Sequence, residues 1–192
     1  MGPNRRFTEP LRVLARELIE TVLLALVVYL ALQFSIQPYR VEGSSMVPGL
    51  GEGEYLLVNK MLYWDVPLIS RDDGYLIQPP KFGDVVVFKF PLDPGRNFVK
   101  RVIGVPGDIV EISEGVVFLN GEALDEPYVT RPDQGNTKAQ VVPPDSFFVL
   151  GDNRRASDDS RSWGMVPRDN IIGRAWVSYW PPEQLKQLLP IN

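Results

Sequence analysis

The sequence predicts a mostly β protein, an antiparallel β-sheet domain behind one N-terminal transmembrane helix. Three observations lead there. Thr21 to Tyr39 is a run of nineteen residues without a charge, close to the roughly 20 that span a hydrocarbon core at helical rise. The chain holds 18 prolines in 192 residues, nearly twice the usual share of about 5%, so long helices have little room beyond Pro38. Past Arg40 the chain is instead a series of short runs rich in Val, Ile, Phe and Tyr, separated by turn formers, as strands require.

Taken in order, residues 1–20 carry Arg5, Arg6, Arg12 and Arg16 against Glu9, Glu17 and Glu20. The charge-free run predicts a transmembrane helix over 21–39, and arginine bias beside it predicts a cytoplasmic N-terminus over 1–20 and an extracytoplasmic β domain over 40–192. A buried globular helix fits less well, because the run is polar only at Thr21, Gln33, Ser35 and Gln37. A cleaved secretory signal also fits less well: the apolar region exceeds the usual 7–15 residues, and no A-x-A-like site comes after it.

In the outer domain, residues 54–60, 83–90, 97–104, 108–113, 115–120, 146–150 and 171–180 read as strands. Asp108 to Asn120 reads as a hairpin turning at Glu114-Gly115, with a second tight turn at Asn120-Gly121. Arg71 to Lys81 and Tyr128 to Val142 lack periodicity and are expected to be surface excursions.

Composition then removes whole classes of chemistry. There is no histidine and no cysteine, which excludes a Ser-His-Asp triad, a thiol nucleophile and cysteine-based metal sites. With 20 basic against 24 acidic residues the net charge is −4, so a nucleic-acid partner is not expected. A hydrolase built from this chain needs an unusual base.

Ser44 and Ser45 lie in a turn between Gly43 and Pro48. A serine so placed can be exposed beside backbone N–H groups, although such serines are commonly turn residues and nothing more. A neutral lysine can replace histidine as base, and the six lysines are 60, 81, 89, 100, 138 and 186. Strand alternation sets Phe98, Lys100 and Val102 on one face, so Lys100 sits between apolar neighbours that would lower its pKa. Lys60 ends its strand and Lys89 precedes Phe90-Pro91. Lys100 is also compatible with a charge guarding an edge strand. A third segment, residues 151–167, is dense in Gly, Asp, Asn, Arg and Ser directly after an apolar strand. It suits either a self-cross-linked loop presenting a hydroxyl inward or a solvated surface loop.

Together these segments resemble the bacterial type I signal peptidase (leader peptidase) family, membrane-anchored Ser-Lys serine endopeptidases. GSSMVPGL resembles its serine box, YLLVNK its second strand box, GDVVVFKFP with FVKRVIGVPGD its lysine box, and GDNRRASDDSRSWGMVP its Gly-Asp-Asn-Arg box. The resemblance implies that Ser45 is the nucleophile, Lys100 the general base, and Ser157 the hydroxyl that orients the lysine amine. Asp152 and Asp159 are implied to pair with Arg101 and Arg161 as supports. Met46 is implied to shape the pocket for the small residue before the cut, and Phe98, beside Lys100, is assigned to substrate binding with it. Two positions depart from the pattern. Gly43 stands where some members place an oxyanion-hole serine, and Gly49 replaces the usual threonine.

The resemblance further implies cleavage of signal peptides from exported preproteins after Ala-x-Ala-like residues, at the plasma membrane, without a cofactor. The lipid membrane and preproteins are the expected partners, and the sequence leaves the oligomeric state open. Two other readings stand beside it: a Ser-Lys peptidase for a narrow precursor set, and a non-catalytic membrane-tethered β scaffold. A self-cleaving Ser-Lys repressor would need a basic DNA-binding segment that is missing here.

Overall fold

The computed structural model describes residues 8–63 and 77–188, in two compact units divided after Ser35. The first contains helix α1 (Thr8–Ser35), of which Val13–Ser35 is long and apolar enough to cross a membrane. Polar side chains in this stretch find partners within the helix. Thr21 Oγ1 donates to the Glu17 carbonyl at 2.8 Å and Gln33 Nε2 donates to Tyr29 Oη at 3.0 Å, the internal pairing that an apolar solvent demands. The helix stops at Ser35 and not at Tyr39, because Ile36–Arg40 forms strand β1. Pro38 has no N–H to continue a helix, and its ring pushes Gln37 out of the helical region.

The second unit is an antiparallel β structure. After β1 come β2 (Tyr55–Asn59), β3 (Val85–Phe90), β4 (Asp93–Gly104), β5 (Ile109–Ser113), β6 (Val116–Leu119), β7 (Glu122–Ala123) and β8 (Thr137–Val141). Then come β9 (Ser146–Leu150), a single helical turn α2 (Ser160–Trp163), β10 (Val166–Pro167), β11 (Ile171–Trp180) and β12 (Lys186–Gln187). Among the described residues the larger sheet runs β1-β2-β11-β3-β4-β9-β10 with β12 on β11, and the smaller runs β7-β6-β5-β8.

The sequence explains this partition. In β3 the run Val85-Val86-Val87-Phe88 is apolar at every position, and a strand so composed must be covered on both faces. Val85 and Val87 enter a cluster with Val41, Met46, Leu50, Leu56, Val58 and Ala175. Val86 and Phe88 enter another with Tyr63, Val102, Phe147, Val149 and Val166. The third cluster joins the two sheets, Ile103, Phe148 and Leu150 meeting Val110, Ile112, Val117 and Val142.

Glu114-Gly115 and Asn120-Gly121 make the two expected turns, with all four residues at positive φ as a two-residue hairpin of this hand requires. The expected excursion Tyr128 to Val142 needs correction, since Thr137–Val141 is β8 and pairs with β5. Its polar, largely exposed side chains give it no alternation to read, and it is held as an edge strand by its backbone. Residues 71–76 of the other expected excursion lie outside the described residues, and Ile77–Lys81 contains no strand.

Gly104 marks the closest approach between β4 and the smaller sheet. A Cβ there would meet Val110 Cγ2 at 2.6 Å and Val142 Cγ2 at 3.0 Å. Overpacking of this kind costs about 1–3 kcal/mol. Gly104→Ala is therefore expected to lower the melting temperature of the detergent-solubilised chain by several degrees in a calorimetric scan, with the pH dependence of activity unchanged.

Candidate active site

Ser45 lies in the turn between β1 and β2, opened by Gly43 at φ +84°. The turn is held from behind by the loop after β9. The Asn153 N–H donates to the Ser45 carbonyl at 2.9 Å, and Asn153 Nδ2 donates to the Ser44 carbonyl at 3.1 Å. Gly151 lies so close that a Cβ would meet the Ser45 carbonyl oxygen at 2.5 Å and also collide with Ser157 Oγ. A Cβ at Gly49 would meet Asp152 Oδ2 at 2.8 Å, so glycine in place of threonine lets this carboxylate pack directly on the turn.

Lys100 comes from β4, opposite Val86 in the register with β3. Only 4% of the residue is exposed. Its Nζ donates to Ser45 Oγ at 2.8 Å and to the Val99 carbonyl at 3.1 Å, and lies 5.3 Å from the Phe98 ring centre. Burial lowers the Lys100 pKa from 10.5 to about 8, against the opposing pull of Asp159, Asp158 and Asp152. At pH 7 roughly a tenth of the amines are then neutral, compared with a few in ten thousand for an ordinary lysine. Among the described residues the β4 segment bearing Lys100 pairs only with β3, because pairing with β9 begins at Arg101.

The supporting ion pairs are in place. Arg101 binds Asp152 through two bonds, Nε to Oδ1 at 2.9 Å and Nη2 to Oδ2 at 2.7 Å. Burial pushes the Asp152 carboxyl up while Arg101 pulls it down. Removing one partner of such a buried pair costs about 3–5 kcal/mol, because the other charge is stranded. Arg161 Nε binds Asp159 Oδ1 at 2.7 Å, and Asp159 Oδ2 also accepts the Gly151 N–H at 3.1 Å.

A cleft of about 540 Å³ opens over the pair. Tyr39 to Ser45 line one side and Gly95 to Lys100, including Phe98, line the other. Met46 departs from its expected place. It is 1% exposed and packed in the core with Leu50 and Leu56, because the turn that exposes Ser45 sends the next side chain inward. Ser157 departs too. Among the described residues its buried hydroxyl has no hydrogen-bond partner, being packed against Gly151, and the Lys100 amine is occupied by Ser45 and the Val99 carbonyl.

Residues 15–180 match the family described as signal peptidase, peptidase S26. The chain belongs to that family. A probable signal peptidase I-1 from Synechocystis is 38% identical over 181 residues, covering 90% of this chain and 86% of that protein. A signal peptidase I from Leptolyngbya laminosa is 39% identical over 181 residues, 90% of this chain and 83% of that protein. Signal peptidase IB of Staphylococcus aureus is 34% identical over 193 residues, covering 89% and 94%.

Around the pair stand further residues that the sequence alone did not single out. Arg154 is fixed by Glu126 through Nη1 at 2.9 Å and Nη2 at 2.5 Å. Tyr128 lies under the Arg101 guanidinium at 4.2 Å, closing the Arg101–Asp152 pair from one side. Asn153 holds the serine turn. The signal available in advance was the Gly-Asp-Asn triplet at the end of an apolar strand, which marks a loop on a rigid support.

The buried amine makes stability depend on pH. Its folded pKa of about 8 lies below the unfolded value, so the folded state binds fewer protons than the unfolded state between about 8 and 10.5. Stability therefore rises with pH across that window, by about 3 kcal/mol in total, and the penalty is fully present below pH 8. In urea titrations Lys100→Met is expected to be more stable than the parent at pH 7. Its advantage should shrink by most of that amount at pH 10.

Proposed function

We propose that this S26 peptidase is a signal peptidase I that cleaves signal peptides from exported preproteins, with Ser45 and Lys100 as a catalytic dyad. The observation that carries the reading is the 2.8 Å contact between Lys100 Nζ and Ser45 Oγ, in a setting that lowers the lysine pKa to about 8. The neutral amine accepts the Ser45 proton as Oγ attacks the scissile carbonyl. The resulting ammonium then protonates the leaving amine, and a water activated by the same lysine releases the acyl group.

The cleft fits an extended peptide. Among the described residues β1 is an end strand of the larger sheet, and the β4 segment opposite it has one unpaired edge. Their backbone groups are available to a peptide added as a strand, with side chains alternating toward and away from the floor. Small residues at the first and third positions before the cut suit this arrangement. The apolar helix serves as a single membrane anchor, and the arginines before it favour a cytoplasmic N-terminus with the β domain on the opposite side. Enzyme and substrate then meet at one membrane face.

Ser45→Ala is expected to lower cleavage of a purified preprotein by at least about 10³-fold, without changing the melting temperature by more than a few degrees. Lys100→Arg should be as inactive as Lys100→Met, since a guanidinium does not lose its proton at any working pH. Gel-based cleavage with mapping of the new N-terminus decides both, and an active Ser45→Ala variant would refute the dyad.

The rate should follow the neutral amine. Below pH 8 it is expected to rise about tenfold per pH unit and to level off above it. A profile that is flat from pH 6 to 10 would exclude Lys100 as the titrating base.

A further inference from the structure

The Ser45 backbone N–H makes no hydrogen bond among the described residues, and the Ser44–Ser45 peptide is not among the cis bonds of the chain. In a trans peptide the C=O and N–H point in opposite directions within one plane. Whatever fixes the Ser44 carbonyl therefore aims the Ser45 N–H. Asn153 Nδ2 donates to that carbonyl at 3.1 Å, with the Val47 N–H on the same oxygen at 3.2 Å. Asn153 is 1% exposed and lies behind the turn, whereas Ser44 and Ser45 line the cleft. The N–H consequently faces the cleft, free to donate.

We infer that the Asn153 side chain is a positioning residue for the oxyanion, setting the direction of the Ser45 N–H through the Ser44 carbonyl. This rests on the reading of Ser45 as nucleophile. During attack, the carbonyl carbon bonds to Ser45 Oγ and its oxygen takes up the electron pair of the C=O bond. A donor already aimed at that oxygen stabilises it without having to reorganise. Gly43 supplies no hydroxyl to share this task, so the aim of the Ser45 N–H weighs more heavily. The second Asn153 bond, from its own N–H to the Ser45 carbonyl at 2.9 Å, holds the next peptide plane and survives any change of side chain. The two bonds together fix both planes that flank the Ser45 Cα.

The test uses the full chain in detergent, with Asn153→Ala and the similarly branched Asn153→Leu. The measurements are kcat and KM on a preprotein, the pH profile, and inhibition by a peptide aldehyde ending in alanine, which forms a hemiacetal oxyanion on Ser45. We expect kcat to fall by about 10–100-fold, KM to stay within about threefold, and the pH midpoint to remain near 8. The aldehyde should weaken by the same factor as kcat/KM falls. Near-parental kcat would overturn the inference, as would a lower kcat with unchanged aldehyde affinity or a pH midpoint that moves. Loss of cooperative unfolding in both variants would overturn it as well, assigning Asn153 to the fold. Ser45→Ala, run in parallel, tests the underlying reading by itself, because parental cleavage there refutes the nucleophile whatever the Asn153 variants do.

Discussion

A lysine is neutral near physiological pH only where water is kept from its ammonium form, and the β domain meets that condition at Lys100, which is 4% exposed. Lowering its pKa from 10.5 to about 8 costs about 3 kcal/mol. One or two fully buried side chains such as Val86, Phe88 or Val102 offset this, at about 1.5–3 kcal/mol each. The lysine is accordingly set on a strand whose partner, β3, is apolar on both faces. A two-layer sheet covered on one side only would leave the amine wet.

The same condition governs the carboxylates. Asp152, Asp158 and Asp159 all favour the charged amine, and left unpaired they would work against the effect of burial. Asp152 and Asp159 are both fully buried, yet each is bound by an arginine that offsets its charge. The pairs thus do two things at once: they tie the loop after β9 to the sheet, and they limit the negative field at Lys100. On the serine side the constraint is closeness. Gly49 and Gly151 let backbone and carboxylate approach the turn to distances that any Cβ would prevent.

Legibility in the sequence tracks the range of the interaction. Most strands were legible because their apolar residues are packed by the sheet they belong to, and Lys100 could be singled out because alternation placed it between Phe98 and Val102. β8 was not legible, since Thr137-Lys138-Ala139-Gln140-Val141 is held by backbone pairing at a sheet edge and carries no burial pattern. The charge-free run overshoots the end of α1, since it continues to Tyr39 while the helix gives way to β1 at Ile36. Met46 and Ser157 depend on the direction a side chain takes out of a turn, which no spacing encodes. The hold of Asn153 on Ser44 spans 109 residues and leaves no periodic trace.

The parts of the proposed site lie in the order serine, lysine, clamp along the chain, at Ser45, Lys100 and residues 151–161. A copy still being synthesised already contains the first two but lacks the asparagine, the aspartates and the strand that hold them in register. An arrangement that needs all three is therefore complete only once the last of them has folded back onto the first two.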